Sequence, residues 1–400
     1  MKKFNYRAMT KDGKKTEGIY EGNSREEVIS LIAANGYYPL KIEEVKVKPH
    51  IELNFTNRVK TKDIAVFCRQ FYTMLDAGVS ITNSLSMLRD QILNKTLKRV
   101  LGEIDEDVKK GEMLSESMSK FPDVFPQLLI SMVQSGEATG NIDEMMLRMS
   151  VHYEKENKTN NKVKSAMIYP IVLAIVAIVA VMGIMIFVMP TFKELFDTEG
   201  IELPFITKAL LALSDFLSSY ALLILVIIIG LIVGFNYYKK TENGMKEVSK
   251  LKLKLPIIRG VTRKIIVARF SRTLSMLLSS GISLIEAMPI VCAVLGNKVA
   301  EEELTKVRER VIRGDGLSTP LSETTVFTDM LNSMVKIGEE SGSLDAILDK
   351  TADFYDEEVD QAIMAATSMI EPALIIVMGV AIGIIVISIM LPMFEMYTQL

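Results

Sequence analysis

The side chains able to do chemistry are few in this sequence. It holds two histidines, His50 and His152, and two cysteines, Cys68 and Cys292. Neither histidine has a Cys or His partner at ligand spacing, so no metal site is expected. Two cysteines imply no disulfide framework and a reducing compartment, and both read as small buried apolar side chains rather than nucleophiles. No Gly-x-x-x-x-Gly-Lys-Ser/Thr run cradles a phosphate, no Gly-x-Gly-x-x-Gly follows a strand, and there is no His-Glu-x-x-His. Catalysis and cofactors are therefore not expected. What remains is a set of carboxylates beside glycines and prolines. Gly136-Glu137 to Gly140 and Gly338-Glu339 to Gly342 have enough backbone freedom for an anion-binding loop. A helix stop, a tight turn and a new helix N-terminus explain them equally, and would order the entry to a long helix. Glu371 sits beside Pro372 at the threshold of an apolar stretch, where an ionisable group makes either an interfacial pair or a contact to a partner's membrane helix. Glu357-Glu358 reads as a solvated face. A carboxylate pair near the apolar stretches, as an intramembrane peptidase would need, is missing.

The elements that must position these groups are partly in lipid. The net charge is −3 with 24% charged residues, which gives no electrostatic case for nucleic acid. Mean hydropathy is nevertheless +0.27, so polar parts must be joined to membrane parts. The start, Met1 to Arg7, is no secretory signal. From Lys164 to Lys193 the chain is free of charge, and its aliphatic centre, Ile171 to Met189, reaches roughly 28 Å as a helix. Similar stretches run from Phe216 to Tyr238 and from Pro372 to Phe394, none with a polar stripe. Three spans are expected, at 166–190, 216–238 and 369–394. Lys158, Lys162 and Lys164 precede the first, and six lysines from Lys239 to Lys254 follow the second. The connection 191–215 is acidic on balance, so the N-terminus and both large polar regions are expected in the cytoplasm and the tail 395–400 outside. With no Trp in the chain, Tyr must anchor the interfaces.

Aligned with itself, the chain repeats. Phe67-Cys68-Arg69 through Gly78-Val79-Ser80 matches Phe270-Ser271-Arg272 through Gly281-Ile282-Ser283. Lys110-Gly111 with Leu114-Ser115 matches Arg313-Gly314 with Leu317-Ser318, and the two Gly-Glu-x-x-Gly motifs match each other. Tyr153 pairs with Tyr355, Pro170 with Pro372, and Pro190 with Pro392, with a single one-residue change of offset before Phe125/Phe327. Each repeat ends in one outward span, and the unpaired middle span brings the chain back.

Each repeat reads as six short helices, over 58–165 and 263–368. In the first, Thr61 caps a helix stopping at Gly78, a second covers Thr82 to Leu93, and a third runs from Thr96 to Lys110. A short one follows from Leu114 to Ser119. Pro126 opens the fifth, and a sixth starts after Asn141 and heads for Pro170. Residues 239–262 form a basic connection. Residues 1–46 read as a small α+β module: strands through Phe4-Tyr6-Ala8, Thr16 to Glu21 and Leu40-Ile42-Val45, an Asp12-Gly13 hairpin turn, and a Ser24/Glu27 capping box on a helix ending at Gly36. Residues 47–57 read as linker. The fold class is thus mainly α: three membrane helices, two tandem cytoplasmic six-helix bundles and a small α+β module.

An N-terminal module with Phe4-x-Tyr6-x-Ala8 and Gly13 to Gly18, two helical repeats bearing Gly-Glu-x-x-Gly, Glu371-Pro372 and a closing Leu391-Pro392-Met393-Phe394 together resemble the type II secretion F / type IV pilus platform family over nearly the whole chain. The resemblance implies a cytoplasmic-membrane platform between a hexameric cytosolic ATPase and pilin or pseudopilin helices in the bilayer. It further implies homodimers, contacts with other inner-membrane components, and no nucleotide hydrolysis by the platform itself. Pilus assembly, competence pseudopilus and type II secretion remain alternatives within the family. A transporter is the rival outside it, disfavoured because no polar or broken helix marks a midplane site.

Overall fold

The computed structural model describes residues 2–9, 15–22, 29–30, 33–34, 36, 38–44, 58–199, 203–239 and 241–399. The chain divides into two compact units, Met1–Asn57 and Arg58–Leu400. In the first, β1 (Lys2–Met9), β2 (Lys15–Gly22) and β3 (Tyr38–Glu44) form an antiparallel sheet in the order β2-β1-β3. Met9 pairs with Lys15, and the register shifts between Arg7 and Ala8 on the β3 side. The Asp12-Gly13 turn, the Ser24/Glu27 capping box and Val45 lie outside the described residues.

Repeat 1 begins with α1 (Thr61–Asp76), α2 (Ile81–Gln91), α3 (Lys95–Lys109), α4 (Leu114–Ser119) and α5 (Gln127–Thr139). Lys60, rather than Thr61, is the cap of α1, because Asp63 in the first turn reaches back to accept the Lys60 N–H at 2.9 Å. In α3 the side chains of Leu97, Val100, Leu101 and Ile104 are fully buried on one face, and the Asn94 side-chain oxygen Oδ1 accepts from the N–H groups of Thr96 and Leu97. Phe67 and Phe125 meet in the core with ring centroids 5.7 Å apart.

A long helix follows. α6 (Ile142–Gly183) passes Pro170 without a break, a π-helical turn (Ile184–Val188) comes next, and α7 (Met189–Glu199) closes the segment. The return helix α8 (Phe205–Tyr238) starts well before Phe216 and is off-helical only at Tyr220, with φ −115° and ψ 18°. Asp215, just before the expected span, lies on this helix and pairs with Lys193 at 2.7 Å.

The basic connection contains α9 (Glu242–Lys254). Repeat 2 then runs through α10 (Pro256–Ser279), α11 (Leu284–Val294), α12 (Lys298–Ile312), α13 (Ser318–Ser322), α14 (Asp329–Ser341) and α15 (Leu344–Gln399). Phe270 and Phe327 meet at 5.1 Å, reproducing the aromatic pair of repeat 1. Buried residues of both repeats belong to one continuous apolar core. Among the described residues, three helical stretches are long and apolar enough to cross a membrane: 142–196, 205–224 and 344–394, with a shorter apolar helix at 226–238. Most of the apolar side chains along them face outward, as lipid contact requires.

Candidate functional site: the seam of the two long helices

The repeated Gly-Glu-x-x-Gly motifs are built the same way twice. Glu137 on α5 accepts from the N–H of Leu114 at 2.6 Å and of Ser115 at 3.1 Å, and also from the Ser115 hydroxyl. Glu339 on α14 accepts from the N–H of Leu317, and from that of Ser318 at 2.9 Å. Each carboxylate therefore satisfies the orphan amides at the start of the short fourth helix of its own repeat. Gly140 and Gly342 take left-handed φ of 77° and 67° to end α5 and α14. Gly136 and Gly338 have another role. A Cβ at Gly136 would lie 2.9 Å from Ile142 Cα, and one at Gly338 2.9 Å from Leu344 Cα. The long helices start this close to α5 and α14 only because no side chain intervenes. Gly78 and Gly281 sit at φ 80° and 81° in the turn before the second helix of each repeat. The motif fixes where each long helix begins.

From there α6 and α15 run side by side and parallel. Lys155 pairs with Asp353 at 3.2 Å and Asp356 at 3.5 Å, Lys162 pairs with Asp360, and Tyr169 donates to Glu371 Oε1 at 3.1 Å. Lys155, Lys162 and Tyr169 recur at heptad spacing, the signature of a helix face held along a partner. Arg272 from α10 reaches Asp349, Asp353 and Asp356 at 2.7, 2.5 and 2.9 Å. Burial alone would raise the Asp353 carboxyl, but the hydrogen bond and charge of Arg272 outweigh it and hold the group below its usual range. The charges that join α6 to α15 are not legible as a motif, because each partner lies in the other repeat, and Arg272 meets its aspartates 77 to 84 residues away within its own; the heptad spacing on α6 is the one local signal.

The repeats differ where the seam opens. In repeat 2 the Arg263 guanidinium donates to the carbonyls of Val326 and Phe327 at 2.9 and 2.8 Å, and the Thr328 hydroxyl bonds that of Tyr355. Repeat 1 has Lys60 and Pro126 at the matching places, and the buried Tyr153 hydroxyl has no hydrogen-bond partner. A cavity of about 500 Å³ opens there, lined by Lys60, Pro126, His152, Tyr153, Arg269 and Arg272 among others. Burial, with Arg269 and Arg272 close by, pushes His152 down to about 4. Among the described residues no group of three or more His, Cys, Asp or Glu is placed to hold a metal ion. Cys68 and Cys292 are buried, and burial drives the Cys68 thiol far up.

At the far end the three membrane helices lock through the closing prolines. In the π-helical turn the Met189 N–H bonds the Ile184 carbonyl, so the next donor in that pattern is residue 190, a proline. The Met185 carbonyl is thereby left over, and the buried Ser214 hydroxyl of α8 donates to it. In α15, Pro392 deprives the carbonyl of Ser388 in the same manner, and the buried Thr207 hydroxyl of α8 donates to that one at 2.7 Å. Met185, Met189, Leu211 and Ile385 pack around these bonds. Pro170 and Pro372 sit inside unbroken helix.

Comparison with known proteins agrees with this architecture. The family described as "Type II secretion system (T2SS), protein F" matches residues 67–190 and 270–392, so its two copies begin at Phe67 and Phe270. The family's "N-terminal domain" matches residues 1–43. A "Type IV pilus assembly protein PilC" from Thermus thermophilus is 35% identical over 396 residues, covering 98% of this chain and 97% of the relative. A PilC from Pseudomonas aeruginosa is 34% identical, covering 90% and 96%. A "Type II secretion system protein F" from Aeromonas hydrophila is 32% identical, covering 94% and 98%. With its duplicated bundle, its three membrane helices and these matches over nearly its whole length, the chain belongs to the type II secretion system protein F family.

Proposed function

We propose that the chain is the inner-membrane platform of a type IV pilus machine, which couples a hexameric cytosolic ATPase to the insertion or extraction of pilin helices. The observation that carries this reading is the parallel pair α6 and α15. Each runs from a polar bundle into the bilayer, and both are held in one register by Lys155, Lys162 and Tyr169. Motion imposed on the bundles would reach both membrane segments together. The excess of lysine before the first span and after the second supports cytoplasmic bundles, a cytoplasmic N-terminus and an external C-terminus. The Gly-Glu motifs, Glu371 and the four prolines are structural in this reading, with Glu371 the one group also able to meet a partner at the membrane edge. The platform works as a structural part rather than as an enzyme, as a homodimer, and alongside other inner-membrane components.

Type II secretion is the second reading, favoured by relatives named for that system at 28–32% identity. Affinity capture of the detergent-solubilised protein decides the central point. A hexameric ATPase of the pilus type should co-purify, whereas repeated capture without any such ATPase would remove the coupling role. Glycine substitutions across Asn157 to Ala166 test transmission, and fibre assembly that survives a softened connector counts against it.

A further inference from the structure

The two repeats of one chain meet through faces that are not equivalent. α5 of repeat 1 packs against α11 of repeat 2, and the Ser135 hydroxyl donates to the Ser280 carbonyl at 2.8 Å in the turn before α11. On these two helices Leu128 is 1% exposed and Ile290 is 9% exposed. Because the sequence is duplicated, each face has a counterpart elsewhere in the chain. The counterpart of the α5 face is on α14, where Met330 replaces Leu128 and is 38% exposed, and Ile337 replaces Ser135 and is 46% exposed. The counterpart of the α11 face is on α2, where Met87 replaces Ile290 and is 48% exposed. Single exposed apolar residues are ordinary. Here they fall on both halves of an interface that the same chain already uses once, and copy 2 carries isoleucine where copy 1 needs only a serine.

We propose that α14 of one chain docks on α2 of a second chain, repeating between molecules the α5–α11 contact made within each. Each contact joins unlike faces, Ile337 against Met87 and not against itself, and a closed dimer makes it twice about its two-fold axis. This deepens the homodimer reading above by naming the surfaces, and it does not depend on which fibre the platform serves.

Cross-linking in native membranes tests it, using two differently tagged full-length chains that carry Ile337→Cys and Met87→Cys. The natural cysteines are buried, so a short bis-maleimide reports the introduced ones. Co-expressed, the two variants should give a mixed covalent dimer, while either variant alone gives about tenfold less. Ile337→Asp should lower the oligomeric fraction in mild detergent about tenfold while thermal unfolding of the chain stays unchanged. An equal yield from Ile337→Cys alone would overturn the pairing of unlike faces. An oligomeric wild type that gives no mixed dimer would overturn this surface alone, and a monomeric wild type would overturn the dimer reading with it.

Discussion

Tyr169 and Glu371 hold the same position in the two repeats, and they touch each other, hydroxyl to carboxylate, at 3.1 Å. Contact between equivalent positions means that α6 and α15 enter the membrane at one level. Both side chains are exposed, so the bond itself adds little. Tyr169→Phe and Glu371→Ala should each change unfolding free energy by less than about 1 kcal/mol. Fibre assembly measured beside thermal stability then separates the roles: lost assembly with intact stability identifies Glu371 as partner-facing, and intact assembly leaves it as an interfacial pair.

The two motif glutamates carry more. Removing either carboxylate strips the amides at a helix start of their acceptor in a half-buried site. Glu137→Ala and Glu339→Ala should each destabilise the bundles by roughly 2–3 kcal/mol. Guanidinium titration of the detergent-solubilised protein, followed by circular dichroism, reads the change. A midpoint equal to wild type would show that the cap is not needed.

Gly136→Ala and Gly338→Ala force a methyl group against backbone at 2.9 Å, and backbone at a helix start cannot yield cheaply. A loss of at least about 2 kcal/mol is expected for each. Gly260→Ala is the contrast. It lies within α10 with nothing within 4 Å of its Cβ, and should be neutral or stabilising by up to about 1 kcal/mol. Thermal melts of the three variants side by side should rank them in that order.

Acid should weaken the seam through His152. Its folded value of about 4 lies below the ordinary 6.5, so between these two values the unfolded chain binds more protons. This contribution is fully present above pH 6.5 and drains away as the pH falls toward 4, by no more than about 3 kcal/mol. In His152→Gln the acid limb of the stability curve should flatten over that window. A curve that keeps the wild-type slope would assign acid sensitivity to other groups.

The bonds that α8 makes to its neighbours are measurable too. Ser214→Ala and Thr207→Val each leave a carbonyl orphaned by a proline with no donor, and should cost about 0.6–1.7 kcal/mol apiece. Steric trapping or unfolding in mixed micelles reads losses of that size, and the double variant should be roughly additive because the two bonds join different helix pairs.

Much of this architecture is written in local pattern. The apolar face of α3, the glycines that stop helices and the charge-free stretches each need only neighbours in sequence, so periodicity and composition reveal them. Duplication extends that reach, since Glu137 and Glu339 stand out by recurring with Leu114-Ser115 and Leu317-Ser318. What the pattern could not give is the partner. Glu137 bonds amides 22 and 23 residues upstream, and Lys155 meets Asp353 across 198 residues. Such pairs depend on how the helices pack, within one repeat for Glu137 and across repeats for Lys155, and packing leaves no fixed spacing to read.

The Tyr169–Glu371 contact also shows what the unlikeness of the repeats permits. In a pair of identical subunits, a residue facing its own equivalent would meet its twin: two carboxylates repelling, or two phenols. Within one chain the two positions need not be self-complementary, and here one is a donor while the other is an acceptor. Difference between the halves, rather than symmetry, makes this junction attractive.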